Sequence, residues 1–511
     1  MSKNKNLFSQ LTQNLKNTKN PFITVSAETV YLYGDMLKLS GRYANALAAI
    51  GIQKNDRILV QTEKQVECIW LYLACLRLGA IYITINPAYT LTETEYFITD
   101  SEPKLFVTTD LNKNLELLKL LETRTETIIK DLQKTGNNSL RVMASCENPD
   151  FDTCFCNNED IAAILYTSGT TGRSKGALIS HQNLFSNAKA LANIWHMSSS
   201  DKLLHILPIY HTHGLFVAFN STLYSGGSIL FHKNFAVEAV LDDITKVTVL
   251  MGVPTHYIRL ISERAFSKEL TSTMRLFISG SAPLSSEVHL DFKKITGLDI
   301  LERYGMTETN MIASNPYEGE RKSGTVGFPL PDVTVRIRDI ETGKLMENGS
   351  VGSIEVKGPN VFTGYWKMEE RAKVDFHDDG FFITGDLGFF DSAGYLNISG
   401  RDKDLIISGG LNVYPAEVER VMDALPQVGE SALIGIPHPD FGEGVTAVIT
   451  LRNGHATVNE QNLRNRIRNQ LASFKVPLKI IVKDELPKNA MGKIQKNLLR
   501  TEFEDIYSEK S

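Results

Sequence analysis

The sequence predicts an α/β protein. A large N-terminal domain of layered α/β subdomains, with a small β-barrel-like subdomain at its end, precedes a small α+β C-terminal domain. Three observations predict this. Apolar strand-like runs alternate with helical stretches through the first half of the chain. Short strands between Gly- and Asp-rich turns take over from about residue 330, and a mixed helix and strand pattern fills the chain beyond residue 400. A chain of 511 residues also exceeds one comfortable domain.

In order, "RILVQT" (57–62), "IYITIN" (81–86) and "KLFVT" (104–108) are strands, with helices near 65–78 and 90–101. "VTVLMGVP" (247–254) and "RLFISGS" (275–281) continue a largely parallel sheet pattern. The segments "VTVRIRD", "SIEVKG", "FFITGD" and "YLNISG" form the small β-rich part. Pro415 opens a helix with Val418, Val421, Met422 and Leu425 on one face. Strands at 432–436, 445–451 and 479–483 follow, with a second helix carrying Leu463, Ile467 and Leu471. This divides the chain into domains of residues 1–400 and 401–511.

A formal net charge of −5 argues against nucleic acid or an anionic membrane as partner. Five irregularly spaced cysteines give no disulfide framework, and Cys154 and Cys156 have no companion pair for a metal, which favours a reducing cytoplasm. The apolar stretch 68–85 is divided by Arg77 and Gly79, so it reads as a buried helix and a strand rather than a membrane span. Leu7, Phe8, Leu11 and Leu15 share one helical face, suited to docking, or else to organellar targeting. Oligomeric state, monomer or homodimer, stays open.

"AAILYTSGTTGRSKGALIS" (162–180) is the strongest local signal. Two apolar runs grip a loop whose Gly169, Gly172 and Gly176 let backbone N–H groups turn inward around an anion. Thr167, Ser168, Thr170 and Thr171 add hydroxyls, and Lys175 adds charge. Ser174 stands where a Walker loop needs glycine, so another phosphate chemistry is indicated.

"YTSGTTGRSKG" resembles the signature of the acyl-adenylate-forming (AMP-binding) enzymes, which include acyl-CoA synthetases, amino-acid adenylation domains and luciferases. Ser174 departs from the proline common there. Six further matches follow in the family's order: "LPIYHTHG" (207–214), "SGSAPL" (279–284), "YGMTE" (304–308), "TGDLG" (384–388), "GRDKDLIISGG" (400–410) and "PKNAMGKIQ" (487–495). The resemblance implies that a carboxylate attacks the α-phosphate of ATP, releasing pyrophosphate, and that CoA then takes the acyl group, with Mg²⁺ as cofactor.

By the same resemblance the 167–176 loop holds the outer phosphates. Tyr304 stacks on adenine beside Gly305, Met306, Ser281 and Ala282; Thr307 contacts the α-phosphate; Glu308 helps to hold Mg²⁺; and Asp386 and Arg401 fix the ribose. Asp386 could otherwise be a plain turn residue. Lys493 would bridge the acid and the α-phosphate, and Lys403 would be the hinge of a mobile C-terminal domain that alternates between the two half-reactions. Ser408, Gly409 and Gly410 would meet the pantetheine arm of CoA, or simply form the turn before a helix.

Arg303 replaces a glycine that lines the acyl pocket in many relatives. A buried guanidinium suits an acid with a second carboxylate, unless it only forms an ion pair with Glu302 or Glu308. His211 and His213 lie on the segment that gates this pocket in the family, and Ser279 would border it. Together these segments resemble the malonate-activating branch, which implies malonyl-CoA as product, with methylmalonate a second substrate. Another short dicarboxylate or a short- to medium-chain fatty acid is the alternative acid. An amino-acid adenylation module would want an aspartate within 214–223, and none is there. A catalytically dead nucleotide-binding protein is opposed by the presence of Glu308, Lys403 and Lys493.

Overall fold

The computed structural model describes residues 3–109, 127–136, 139–168, 174–281, 284, 286–339, 342–401, 406–413, 415–452, 458–487 and 494–508. Two large sheets build the N-terminal part. The first has six strands in the order Ile128–Asp131, Leu105–Thr108, Arg57–Gln61, Ile81–Thr84, Ile161–Ser168 and Ser174–Ser180. All its pairs are parallel except the last, an antiparallel pair.

The second sheet runs Phe328–Pro329, Asn310–Ser314, Ile300–Met306, Leu276–Ser279, Val249–Gly252, Lys202–His205, Ser228–Phe231, Pro21–Ser26, Thr29–Leu32. Its middle is parallel, from Ile300–Met306 to Pro21–Ser26, and only its edges are antiparallel. Strands such as Val249–Gly252 and Leu276–Ser279 are buried along their whole length, as sheets covered on both faces require.

The helix Val66–Leu78 is buried on every side and ends at Gly79, whose φ of 74° closes it in the left-handed conformation. Arg77 clamps this helix to its neighbours, donating to Leu37 O at 2.8 Å, to Ser40 Oγ at 3.0 Å and to Phe151 O. Among the described residues no helix is long and apolar enough to cross a membrane. The N-terminal helix Leu7–Thr12 docks through buried Leu7, Phe8 and Leu11, and Asn6 caps it by accepting from Phe8 N–H.

The β-rich part takes the form of a four-stranded antiparallel sheet, Thr334–Arg338, Gly352–Lys357, Phe382–Phe390 and Leu396–Arg401. The smaller C-terminal unit has its own sheet of Ile406–Ser408, Leu411–Val413, Val428–His438, Gly442–Leu451 and Lys479–Val482, with its own apolar core. Among the described residues, ion pairs join it to the N-terminal part. Lys475, only 2% exposed, reaches both Glu93 (3.0 Å) and Glu417 (2.8 Å), and Arg259 holds Asp440 at 3.1 Å.

Candidate active site

The strand Ile300–Met306 organises the site, because successive side chains of a strand point to opposite faces. Tyr304 leaves on one face, and its hydroxyl donates to Asp386 Oδ2 at 2.5 Å. Asp386 is buried and its backbone pairs with Arg401 in the antiparallel ladder, so two of the residues expected around the nucleoside, Tyr304 and Asp386, meet at one place. Where the strand turns, a Cβ on Gly305 would come within 1.9 Å of Asn310 O, so the crossing of the two strands demands glycine.

Glu308 follows in that turn and is 5% exposed. Its Oε1 accepts from Thr167 Oγ1 at 3.2 Å and from the Tyr365 hydroxyl at 2.9 Å. Lys175, opposite Thr167 in the hairpin, is buried with its ammonium 5.2 Å from the centre of the Tyr365 ring. Carboxylate and hydroxyl oxygens are the hard donors that Mg²⁺ takes, and one or two protein carboxylates suffice when phosphates and water complete the shell. The donor set therefore fits a magnesium–nucleotide complex. Thr307 is half-buried in the same turn.

Arg303 leaves on the other face and is 4% exposed. Its guanidinium lies against the backbone of Gly280, where a Cβ would stand 2.3 Å from Arg303 Cζ. Among the described residues, no ion pair of Arg303 with Glu302 or Glu308 forms. Glu302 instead accepts from Gly324 N–H at 3.3 Å and faces His289 at 3.9 Å, and Glu308 is engaged as described above. Among the described residues, Arg303 Nε and Nη2 have no hydrogen-bond partner, nor do His213 Nε2 and Ser279 Oγ. Burial lowers the Arg303 pKa to about 9, still high enough to keep the charge at neutral pH.

His213 is 5% exposed, and its Nδ1 lies 3.2 Å from Ser281 Oγ. Burial, and then the charge of Arg303, hold His213 well toward the neutral form. Ser281 itself is backbone-strained at φ 70°. His211 is exposed, with its ring against Tyr210 at 4.6 Å. The buried Tyr257 flanks Arg303, and its hydroxyl donates to Ile278 O at 2.5 Å. The result is a buried polar cluster around one guanidinium, in which several donors have no acceptor among the described residues.

The hairpin turn of Ser408, Gly409 and Gly410 belongs to the C-terminal unit but packs on the N-terminal one. Gly409 and Gly410 have φ of 58° and 76°, and a Cβ on Gly410 would meet Val253 at 3.3 Å. Gly169, Thr170, Thr171, Gly172, Ala282, Lys403 and Lys493 lie outside the described residues, as do the side chains of Ser168 and Arg401.

A family model for AMP-binding enzymes matches residues 11–366, and one for their C-terminal domain matches residues 417–493. The chain belongs to the AMP-binding enzyme family. Like the malonate–CoA ligase of Arabidopsis thaliana, it is an AMP-forming acyl-CoA synthetase; the two are 32% identical over 91% of this chain and 81% of the relative. A long-chain-fatty-acid–CoA ligase of Bacillus subtilis (strain 168) is also 32% identical, over 93% of this chain and 90% of that one. The crystal structure of apo MatB from Rhodopseudomonas palustris is 50% identical, with a TM-score of 0.77, covering 99% of this chain and all of its own. ATP and CoA are the co-substrates of AMP-binding CoA ligases.

Several residues of this AMP-binding enzyme's site gave no signal in the sequence. Tyr365 binds Glu308 and faces Lys175 from a strand-free stretch far along the chain, and Tyr257 stands beside Arg303 from a separate helix. Neither belongs to a patterned motif, so only tertiary structure brings them in.

Proposed function

We propose that the enzyme is a malonyl-CoA synthetase. Malonate and ATP give malonyl-adenylate and pyrophosphate, and CoA then forms the thioester and releases AMP. Methylmalonate is the second acid that this reading admits. The observation that carries the proposal is the guanidinium of Arg303, buried beside His213 and Ser279 with two donor atoms unpaired among the described residues. Buried polar groups are normally satisfied, and a carboxylate matches an arginine fork in shape and charge. A fatty acyl chain there would leave the charge buried and unpaired, a loss of about 3–5 kcal/mol where such pairs are broken. The equal identity to malonate and long-chain relatives does not choose the acid, so the chemistry of the cluster must.

In this reading Arg303 grips the distal carboxylate, with His211, His213 and Ser279 around it, while the near carboxylate faces the α-phosphate. Tyr304, Gly305, Met306, Ser281 and Ala282 enclose adenine, and Asp386 and Arg401 orient the ribose. Thr167, Ser168, Gly169, Thr170, Thr171, Gly172 and Lys175 hold the phosphates, with Thr307 at the α-phosphate. Glu308 would hold Mg²⁺, which would supply positive charge against the phosphates. Lys493 brings a further positive charge to the reacting carboxylate and phosphate. Lys403 is the hinge on which residues 401–511 turn from residues 1–400, and Ser408, Gly409 and Gly410 then face CoA. We place the reaction in the cytoplasm, in keeping with five unpaired cysteines.

The test is pyrophosphate release with acetate, malonate, methylmalonate, succinate, oxalate and octanoate, with and without CoA. Malonate is expected to give the highest kcat/KM. A preference for octanoate or acetate would overturn the assignment.

A further inference from the structure

Lys64 is buried on the turn between the strand Arg57–Gln61 and the helix Val66–Leu78, away from every motif read in the sequence. The carboxylates beside it in sequence point elsewhere: Glu63 pairs with Lys233, and Glu67 with Arg141. Its Nζ, which burial pushes toward the neutral amine, instead lies 2.9 Å from His205 Nδ1, 2.8 Å from His205 O and 4.5 Å from the centre of the Phe231 ring. His205 ends the strand Lys202–His205 and is 1% exposed, and its Nε2 lies 2.9 Å from Gly214 O.

These contacts fix the tautomer. A carbonyl oxygen only accepts, so Nε2 carries the hydrogen and donates to Gly214 O. Burial, and then Lys64, hold the ring neutral, which leaves Nδ1 as an acceptor. Lys64 therefore donates to His205 twice, once to the ring and once to the carbonyl. Gly214 is the second residue of the π-helix His213–Phe219, and a Cβ there would lie 2.0 Å from Pro208 O, so the 208–214 segment is folded tightly on itself. The residue before Gly214 is His213, which touches Ser281 beside the Gly280–Arg303 contact.

We infer that Lys64 and His205 are positioning residues for the acid side of the site, fixing the gate segment and its His213 through the backbone of Gly214. The inference rests on reading the cluster of His213 and Arg303 as the acid pocket. Lys64 is the far end of the chain, and His205 transmits its hold as a rigid, single-tautomer strut. The chain of contacts ends at Ser281, where the acid side adjoins the nucleotide side, so the hold of Lys64 falls on His213 first and on the nucleotide only beyond it.

The experiment is steady-state kinetics on Lys64→Met, His205→Gln and His205→Leu, using the acid that the unaltered enzyme turns over best, with thermal midpoints measured alongside. Methionine keeps the length of the lysine stem, and a glutamine amide can still donate to Gly214 O. Lys64→Met is expected to raise KM for the acid by about tenfold or more, with KM for ATP moving less than about threefold. His205→Gln should keep most of the acid affinity that His205→Leu loses. Equal movement of both KM values, or no movement in a folded Lys64→Met, would overturn the inference, as would equal behaviour of the two His205 variants. Should Lys64→Met fail to fold, the His205 pair decides. The acid preference of the unaltered enzyme tests the malonate reading separately, so either idea can fail while the other stands.

Discussion

Arg303 and Tyr304 are adjacent in sequence and opposed in space, which is what one step along a strand does. The sequence made this division legible, because a charge beside a nucleotide motif has to face away from it on a strand. Its ion-pair alternative was legible too, and among the described residues no such pair forms. What a sequence could not give is where the neighbouring carboxylates go, since that depends on Gly324, His289, Thr167 and Tyr365 arriving from other elements. Glu302 shows the consequence. Burial, only partly opposed by N–H groups of Gly324 and Leu284, raises its pKa from 4.5 to about 7. The folded chain thus keeps a proton that the unfolded chain releases above about pH 4.5. Stability is lost as pH rises from there to about 7, and the full cost, at most about 3 kcal/mol, stands at higher pH. Glu302→Gln should therefore raise the thermal midpoint at pH 8 and leave it near the unaltered value at pH 4.5. A difference that does not change with pH would show that folding leaves the carboxyl's pKa unshifted.

At the scale of elements, the parallel strands and the helix Val66–Leu78 were written plainly in apolar runs and in Gly79. So was the strand Ser174–Ser180, whose apolar Ala177–Ile179 core the hairpin uses. The π-helix His213–Phe219 was not legible, because a wider winding has no residue preference of its own and is fixed here by contacts such as His205 with Gly214. Nor was the close approach of two strand ends at Gly280, whose absent side chain makes room for the guanidinium. Gly280→Ala would drive a methyl group into Arg303 and displace it. The expected outcome is a rise of about tenfold or more in KM for the acid, with KM for ATP little changed and the fold retained. Parallel loss of ATP affinity would mean that Gly280 serves the nucleotide instead.

At the scale of the whole molecule, the change from parallel to antiparallel patterning marked the three kinds of sheet before any coordinates. The packing of the C-terminal unit on the rest was not marked, because its key contact joins residues almost four hundred apart. Glu93 caps its own helix through Thr90 N–H with one oxygen and takes Lys475 with the other. Lys475→Met would leave Glu93 and Glu417 buried without their cation, a change that costs about 3–5 kcal/mol in comparable pairs. Because this orientation seats the Ser408–Gly410 turn on Val253, thioester formation from supplied acyl-adenylate should slow about tenfold or more. Acid-dependent ATP–pyrophosphate exchange should change far less, and the reverse pattern would assign this orientation to the first half-reaction. The central claim is that one buried arginine selects the acid for the entire enzyme. The most direct measurement is kcat/KM for malonate and for acetate in the unaltered enzyme and in Arg303→Ala. Malonate activity should fall by about 10²–10³-fold in the variant while acetate activity holds or rises; an unchanged kcat/KM for malonate would contradict the account.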